Sequence, residues 1–311
     1  MASSSLLPLL LLAFLFVNTG CAERPTSCWT GAFLADKPTG RDIEQFQTDF
    51  GKKPFLVLFF LEWGYLPEEN VLRDIQSKGC VPVITWEPWD ASTKKGIDTE
   101  ALLAGRYDAY LASFASHLKI FEKPIFLRFV HEMNGDWYPW SGKKLKPEKY
   151  IAVWRYTKDF LDRQGARNVR WIFSVNWEDV PSKGNHFAAY YPGAEYVDFV
   201  GVDGYNWGNA KDGMSWMSFR KIFTKRCWEA WRLFRKPILI TECGSTSRGG
   251  DKAQWIHDAL TEMKKIAGLK GFVLFNTDKE TDWSFQANKK EGQTLKQDLA
   301  DPFFIDSDSI K

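Results

Sequence analysis

The stretch Ile125-Phe126-Leu127-Arg128-Phe129-Val130-His131-Glu132-Met133-Asn134-Gly135-Asp136-Trp137-Tyr138-Pro139-Trp140 holds two kinds of sequence back to back. Its first five residues are almost wholly apolar and do not alternate, as a strand buried on both faces requires. Its remainder gathers an imidazole, carboxyls, an amide and three large aromatics. The same passage from apolar run to polar, aromatic tail recurs along the chain. Apolar runs at 28–34, 55–61, 81–85, 125–129, 169–173, 197–200, 238–240 and 271–275 read as eight strands. Longer amphipathic stretches at 41–50, 67–78, 100–121, 147–164, 216–234 and 251–266 read as helices, with a weaker one near 187–191 and a last one beyond Trp283. Pro67 and Pro147 suit a helical first turn, and Gly79, Gly165 and Gly268 suit helix ends. Eight strands alternating with helices in a chain of 311 residues predict an α/β fold, a single-domain (β/α)₈ TIM barrel. A doubly wound open sheet is the runner-up, but no Gly-rich phosphate loop follows any strand.

The opening segment reads differently. Residues 6–17 carry no polar side chain. They are too short to span a bilayer and suit the apolar region of a secretory signal. Pro8 and the absence of caps argue against a buried helix there. The expected division is a signal peptide over 1–22 and a catalytic domain over 25–311. Cleavage near Gly20-Cys21-Ala22 gives a secreted chain. A lipoprotein signal would instead anchor it at the cell surface through Cys21, although Asn18 stands where that motif has Leu. No later run is long enough for a membrane span. The other cysteines, Cys28, Cys80, Cys227 and Cys243, are compatible with up to two disulfides, and their connectivity stays open.

Composition excludes several partners. Lys and Arg number 41 against 39 Asp and Glu, so no basic field exists for nucleic acid. There is no CxxC, and with four His no metal site or cofactor is implied. The exceptional number is 15 Trp. Six consecutive strand ends carry carboxylates, amides or Trp: Trp86-Glu87-Pro88-Trp89, His131 to Trp140, Asn176-Trp177-Glu178, Asp203-Gly204-Tyr205-Asn206-Trp207, Glu242, and Asn276 with Trp283 beyond it. In a barrel these ends share one rim. Trp faces stack on the C–H faces of sugar rings, and Asn, Asp, Glu and Tyr serve their hydroxyls. Two carboxyls suffice to cleave a glycosidic bond. Glu132 and Glu242 stand out because each follows a buried strand directly. A monomer acting on a neutral polysaccharide is expected. A zinc-protease reading of His131-Glu132 fails because the second His it requires is replaced by Gly135. A non-catalytic glycan-binding barrel would need one carboxylate lost, and both are present.

The motif His131-Glu132-Met133-Asn134-Gly135-x-Trp137-Tyr138 resembles the acid/base motif of glycoside hydrolase family 26, the family of many β-mannanases. Thr241-Glu242-Cys243-Gly244-Ser245 is similar to its nucleophile segment. Gly201 to Trp207 and Phe275 to Trp283 match in order and position. The resemblance implies a retaining double displacement with Glu132 as acid/base and Glu242 as nucleophile, their carboxyls about 5–5.5 Å apart. It also implies that Tyr205 bonds the nucleophile and that His131 orients the carboxylates or a sugar hydroxyl. Trp137 and Trp283 would border the distorted sugar, with Asn134 and Tyr138 of the same motif beside it. Trp89, Trp177 and Trp207 would line flanking subsites, with Trp140 a further candidate, and Arg128 would support a carboxylate. The chain departs from the family at Phe129, where Pro is common, and at Trp137-Tyr138-Pro139-Trp140, where Trp-Phe-Trp-Trp is common. β-1,4-Mannan is the first expectation for the polymer, with mixed-linkage β-glucan and β-1,3-xylan as alternatives.

Overall fold

The computed structural model describes residues 24–121 and 123–306, so the expected leader over 1–22 and Cys21 lie outside the described residues. Eight parallel strands close on themselves. They are β1 (Cys28–Trp29 and Gly31–Phe33), β2 (Leu56–Glu62), β3 (Val81–Glu87), β4 (Ile125–Phe129), β5 (Val169–Asn176), β6 (Phe199–Asn206), β7 (Ile238–Ser245) and β8 (Leu269–Phe275). Each pairs with the next, and β8 pairs with β1, so no edge is left open. The helices are α1 (Gly40–Phe50), α2 (Glu69–Ser77), α3 (Thr99–Leu103), α4 (Asp108–Lys119), α5 (Pro147–Arg163), α6 (Phe219–Phe234), α7 (Lys252–Met263) and α8 (Lys290–Leu299). Among the described residues no helix is long and apolar enough to cross a membrane.

The expected elements return with shifted ends. The helix expected over 100–121 is two, α3 and α4, because Gly105 adopts φ +78° and turns the chain between them. The weak helix near 187 is a single turn, Phe187–Tyr190. Several strands run past their apolar stretch. β3 continues to Glu87, β5 to Asn176, β6 to Asn206 and β7 to Ser245. A hairpin, Trp89–Asp90 with Lys95–Gly96, and a short strand, Phe304–Ile305, add to the expected elements. Cys28, Cys80, Cys227 and Cys243 are all buried, and among the described residues no disulfide joins them.

Two cores follow from strand alternation. Outward side chains such as Trp86, Leu127, Phe129 and Trp171 pack under the helices. Inward ones fill the barrel. Trp29, Phe55, Phe126 and Phe199 plug one end, with Phe126 and Phe199 centroids 4.9 Å apart and those of Trp29 and Phe55 5.2 Å apart. Above this plug the interior turns polar.

One irregularity sets that polar layer. Ile240 pairs with Val202 but Glu242 pairs with Asp203, so Thr241 is an extra residue in β7. Strict alternation would send one of two neighbours outward. The bulge lets Thr241 and Glu242 both serve the interior. Gly201 faces the bulge, and a Cβ there would lie 2.5 Å from both Ser174 Oγ and Thr241 Oγ1. We predict that Gly201→Ala forces these two hydroxyls apart and destabilises the protein by about 1–3 kcal/mol, as overpacking does. Thermal unfolding would show the loss, and an unchanged Tm would disprove the tight fit.

Candidate active site

The site grows from β4. Phe126 and Arg128 point inward and Leu127 outward, so a guanidinium stands at the centre of the barrel with no exposed surface. Arg128 Nε donates to Thr85 Oγ1 on β3 at 2.9 Å. One terminal nitrogen bonds Glu242 on β7, and the other lies 2.9 Å from Asp203 Oδ2 on β6. Asp203 also accepts hydrogen bonds from Ser174 Oγ at 2.8 Å and Thr241 Oγ1 at 2.6 Å. The second oxygen of Glu242 accepts the Tyr205 hydroxyl at 2.5 Å. Glu242 is thus held from both sides by strand-borne groups.

Beyond Phe129 the backbone leaves the strand in a sparsely populated conformation. Val130 has φ 44° and Glu132 φ 53°. Positive φ is costly for a β-branched residue, at about 1–3 kcal/mol, and persists only where the surroundings impose it. Here they do. Tyr150 hydroxyl donates to Val130 O at 3.0 Å, Trp140 Nε1 to His131 O at 2.6 Å, and Glu132 N to Ser174 O at 2.9 Å. Gly135 lets the Trp137 ring fold back, since a Cβ there would lie 2.6 Å from it. Trp137 Nε1 then donates to Glu132 Oε2 at 2.9 Å.

Charge counting divides the carboxyls. Glu132, Asp203 and Glu242 surround one guanidinium. Burial alone would lower the Arg128 pKa, and its two bonded carboxylates outweigh that and raise it. Burial, then the charges of Asp203 and Glu242, push Glu132 well above the usual carboxyl range. Burial also pushes Asp203 up to about 7, although Arg128 and two hydroxyls work against it. Asp203 and Glu242 take the cation, while Glu132 has an indole donor and, among the described residues, no ion pair. Glu132 is therefore the group suited to carry a proton.

The remaining expected residues sort by exposure. His131 is buried, and burial first, then Arg128, holds its imidazole well below its ordinary pKa. It stays neutral and meets Tyr138 hydroxyl through Nε2 at 3.0 Å. Tyr138 stacks on Trp140 with centroids 4.4 Å apart, and Trp89 packs edge-on against Tyr138 at 5.2 Å. Across the barrel, Tyr205, Trp207 and Trp283 form a second cluster, with Trp283 4.8 Å from each of the others. Trp137 is 42% exposed, and Trp89, Trp177 and Trp207 are half-buried. Trp140 and Trp283 are buried, and Trp86 is sandwiched between Phe114 at 3.9 Å and Trp63 at 4.9 Å beneath the helices. Those three therefore support the rim rather than face a ligand. Asn134 is likewise turned inward. Its amide donates to Asn176 O, Glu178 O and Asp179 Oδ1 and accepts from Asn176 N, which leaves neither N–H for a sugar.

The parts that hold the site carry little signal in the sequence. Thr85, Ser174 and Thr241 are small hydroxyls inside apolar strands and give no periodic signal. Lys252, at the start of α7, is buried and donates to three consecutive carbonyls, those of Asp282, Trp283 and Ser284, at 2.6, 3.0 and 2.8 Å. It pins the loop that carries Trp283. Asp282 on the same loop is tied to Thr246 and Ser247 beyond β7. Among the described residues no group of three or more His, Cys, Asp or Glu could hold a metal ion.

Comparison with known proteins agrees with this architecture. Residues 76–308 match the model of glycosyl hydrolase family 26. Endoglucanase H of Acetivibrio thermocellus is 36% identical over 266 residues, which cover 83% of this chain and 29% of that protein. A mannan endo-1,4-beta-mannosidase of Bacillus subtilis is 27% identical over 168 residues, covering 50% of this chain and 41% of that protein. The chain thus spans less than half the length of either relative. Among solved structures, an endo-beta-1,4-mannanase of Cellulomonas fimi superposes with TM-score 0.70 at 18% identity, covering 93% of this chain and 74% of that one. A beta-mannanase of Bacteroides ovatus superposes with TM-score 0.67 at 18% identity, covering 92% of both chains. These likenesses establish the barrel, and with the match over residues 76–308 the chain belongs to glycosyl hydrolase family 26.

Proposed function

We propose that the protein is a retaining endo-β-glycanase that cleaves a neutral polysaccharide by double displacement. The observation that carries this reading is the division of labour around Arg128, with one carboxyl biased toward its acid form and another gripped by a cation and a phenol. Glu132 protonates the departing glycosidic oxygen while Glu242 attacks the anomeric carbon. Glu132, then ionised, takes a proton from the water that releases the sugar from Glu242. Arg128 and Tyr205 orient the nucleophile and spread its charge. Neutral His131 fixes Tyr138, and Trp137 holds the acid against the departing sugar.

For the polymer, the 36% identity to a protein named as an endoglucanase, over 83% of this chain, favours a β-glucan backbone. Mannan, the first expectation from sequence, is supported by relatives named as mannan endo-1,4-beta-mannosidases at 27% and 25% identity. Beta-1,3-xylanases of Vibrio and Alcaligenes are relatives at 22%. In this reading the chain acts as a monomer outside the cell, released by cleavage after residue 22 or anchored through Cys21, and its ligand is the polysaccharide alone.

Three outcomes test this reading. Glu242→Ala should abolish reducing-sugar release from lichenan and mannan, and unchanged activity would refute the assignment. Glu132→Ala should nearly abolish polysaccharide cleavage yet spare substrates with an acidic phenol as leaving group, because such a group departs without protonation. Its pH profile supplies the sign. Activity of the native protein falls as pH rises through the elevated Glu132 pKa and its proton is lost, and that alkaline limb should disappear in the variant. Arg128→Met leaves two buried carboxylates uncompensated and should cost about 3–5 kcal/mol of stability, seen as a large fall in Tm with loss of turnover.

A further inference from the structure

Glu87 is the next inward residue after Thr85 on β3, and it sits in register beside Glu62 at the end of β2. Its side chain is about nine-tenths buried. A buried carboxylate ordinarily collects several donors. Among the described residues Glu87 has one, Trp89 Nε1, reaching Oε2 at 3.3 Å. Its other oxygen, Oε1, takes no hydrogen bond from the described residues. The nearest cationic candidate is His131 Nε2 at 3.9 Å, and that ring is neutral and engaged with Tyr138. Glu87 nonetheless belongs to the reacting cavity, since it lies beside His131, which precedes Glu132, and follows by two residues Thr85, which Arg128 bonds, where it feels the charges of Arg128 and Glu242 and of Lys279 from the loop after β8. Lys279 Nζ lies over Phe60, 5.5 Å from its centroid, on the neighbouring strand β2.

We propose that Glu87 is a sugar-binding, specificity-determining residue whose open Oε1 accepts hydroxyl hydrogens of a neutral β-glycan beside the reacting centre. This rests on the glycanase reading above. Among the described residues nothing gives Oε1 a structural task, so its task is with a ligand. The chemistry suits a sugar. A carboxylate accepts from hydroxyls and rejects a chain that presents none at that place, because the buried group is then left without a partner. The half-buried rings of Trp89 and Tyr138 supply apolar surface next to it, so a ring stacked there would present its hydroxyl edge to Glu87. Burial first, with Glu242 adding, pushes Glu87 up to about 7, against Trp89, Arg128 and Lys279. A group so poorly solvated gains from each hydroxyl it receives. The position also explains how a chain with this mechanism selects its polymer, since Glu87 lies outside the Arg128, Asp203 and Glu242 cluster and can vary without disturbing it.

Glu87→Gln keeps the shape and the Trp89 contact but replaces a carboxyl that is ionised above about pH 7 by a neutral amide, so the comparison is made above that pH. Turnover of lichenan and mannan by the full chain should show KM raised about 10- to 100-fold for the preferred polymer, the range of a hydrogen bond to a charged group, with kcat changed by far less. The preference between the two polymers should narrow. Calorimetry with mannohexaose and a mixed-linkage glucan hexasaccharide, in a Glu242→Ala background, should show at least tenfold weaker binding when Glu87→Gln is added. Tm should hold, because Oε1 supports nothing in the fold. An unchanged KM and Kd, or a Tm lowered by more than about 5 °C, would overturn the proposal. Native protein that binds these oligosaccharides but turns over neither polymer would sink the glycanase reading and leave the Glu87 comparison to be read from binding.

Discussion

A single buried cation organises this protein. Arg128 stands inside a closed barrel, out of water, and touches three other strands through Thr85, Asp203 and Glu242. A charge in that position costs several kcal/mol unless it is paired and bonded. The surrounding irregularities are what pairing demands. The bulge at Thr241 brings Glu242 inward without surrendering the hydroxyl that bonds Asp203, and Gly201 leaves room for both. The aromatic plug of Trp29, Phe55, Phe126 and Phe199 lies below, so the polar layer has water only on the rim side.

The same cation creates the chemical asymmetry. It has contacts for two carboxylates, and a third stands within its field. Glu132, carried on a loop, is the one left over. The backbone must bend sharply to bring it there, and the strained φ values at Val130 and Glu132 are the consequence. Tyr150, Trp140 and Asn134, all buried, hold that bend. Much of the conspicuous motif from His131 to Trp140 is therefore a brace for one carboxyl. Asn134 and Trp140 serve the brace, while Trp137 and Tyr138 reach the cleft.

Eight strands and their order could be read from apolar runs because burial on both faces leaves no alternative composition. Their ends could not. Hydrogen bonding along β3, β5, β6 and β7 continues where hydrophobicity stops, so Glu87, Asn176, Asp203 and Glu242 belong to strands although their residue types suggest loops. Glu132 and Glu242 could be singled out by what adjoins them. Asp203 and Glu87 look like any solvated carboxylate until the barrel closes around them. Tryptophan count was a blunt guide for the same reason. Neighbours on one strand face opposite ways, so Trp86 lies under the helices while Glu87 enters the cavity. Trp283, at the right place in the chain, lies on the loop that Lys252 pins and is buried against Tyr205 and Trp207.

The division between strands and loops bears on how mechanism and selectivity coexist. Arg128, Asp203, Tyr205 and Glu242 are fixed by ladders of backbone hydrogen bonds, and shifting any of them disturbs a buried ion pair or a hydrogen bond to it. Most of the exposed aromatic surface lies on loops. Trp137 extends the β4 loop, Trp89 sits in a hairpin, and Trp207 follows β6. Loops of this kind accept substitution at small cost to the fold. Relatives named for glucan, mannan and β-1,3-xylan within one family are what such an arrangement allows. On the mechanism proposed above, bond cleavage would depend on a charge balance inside the barrel that tolerates little change. On the same proposal the choice of polymer would depend on surfaces outside that balance, where one carboxyl or one indole can be exchanged without exposing the buried cation.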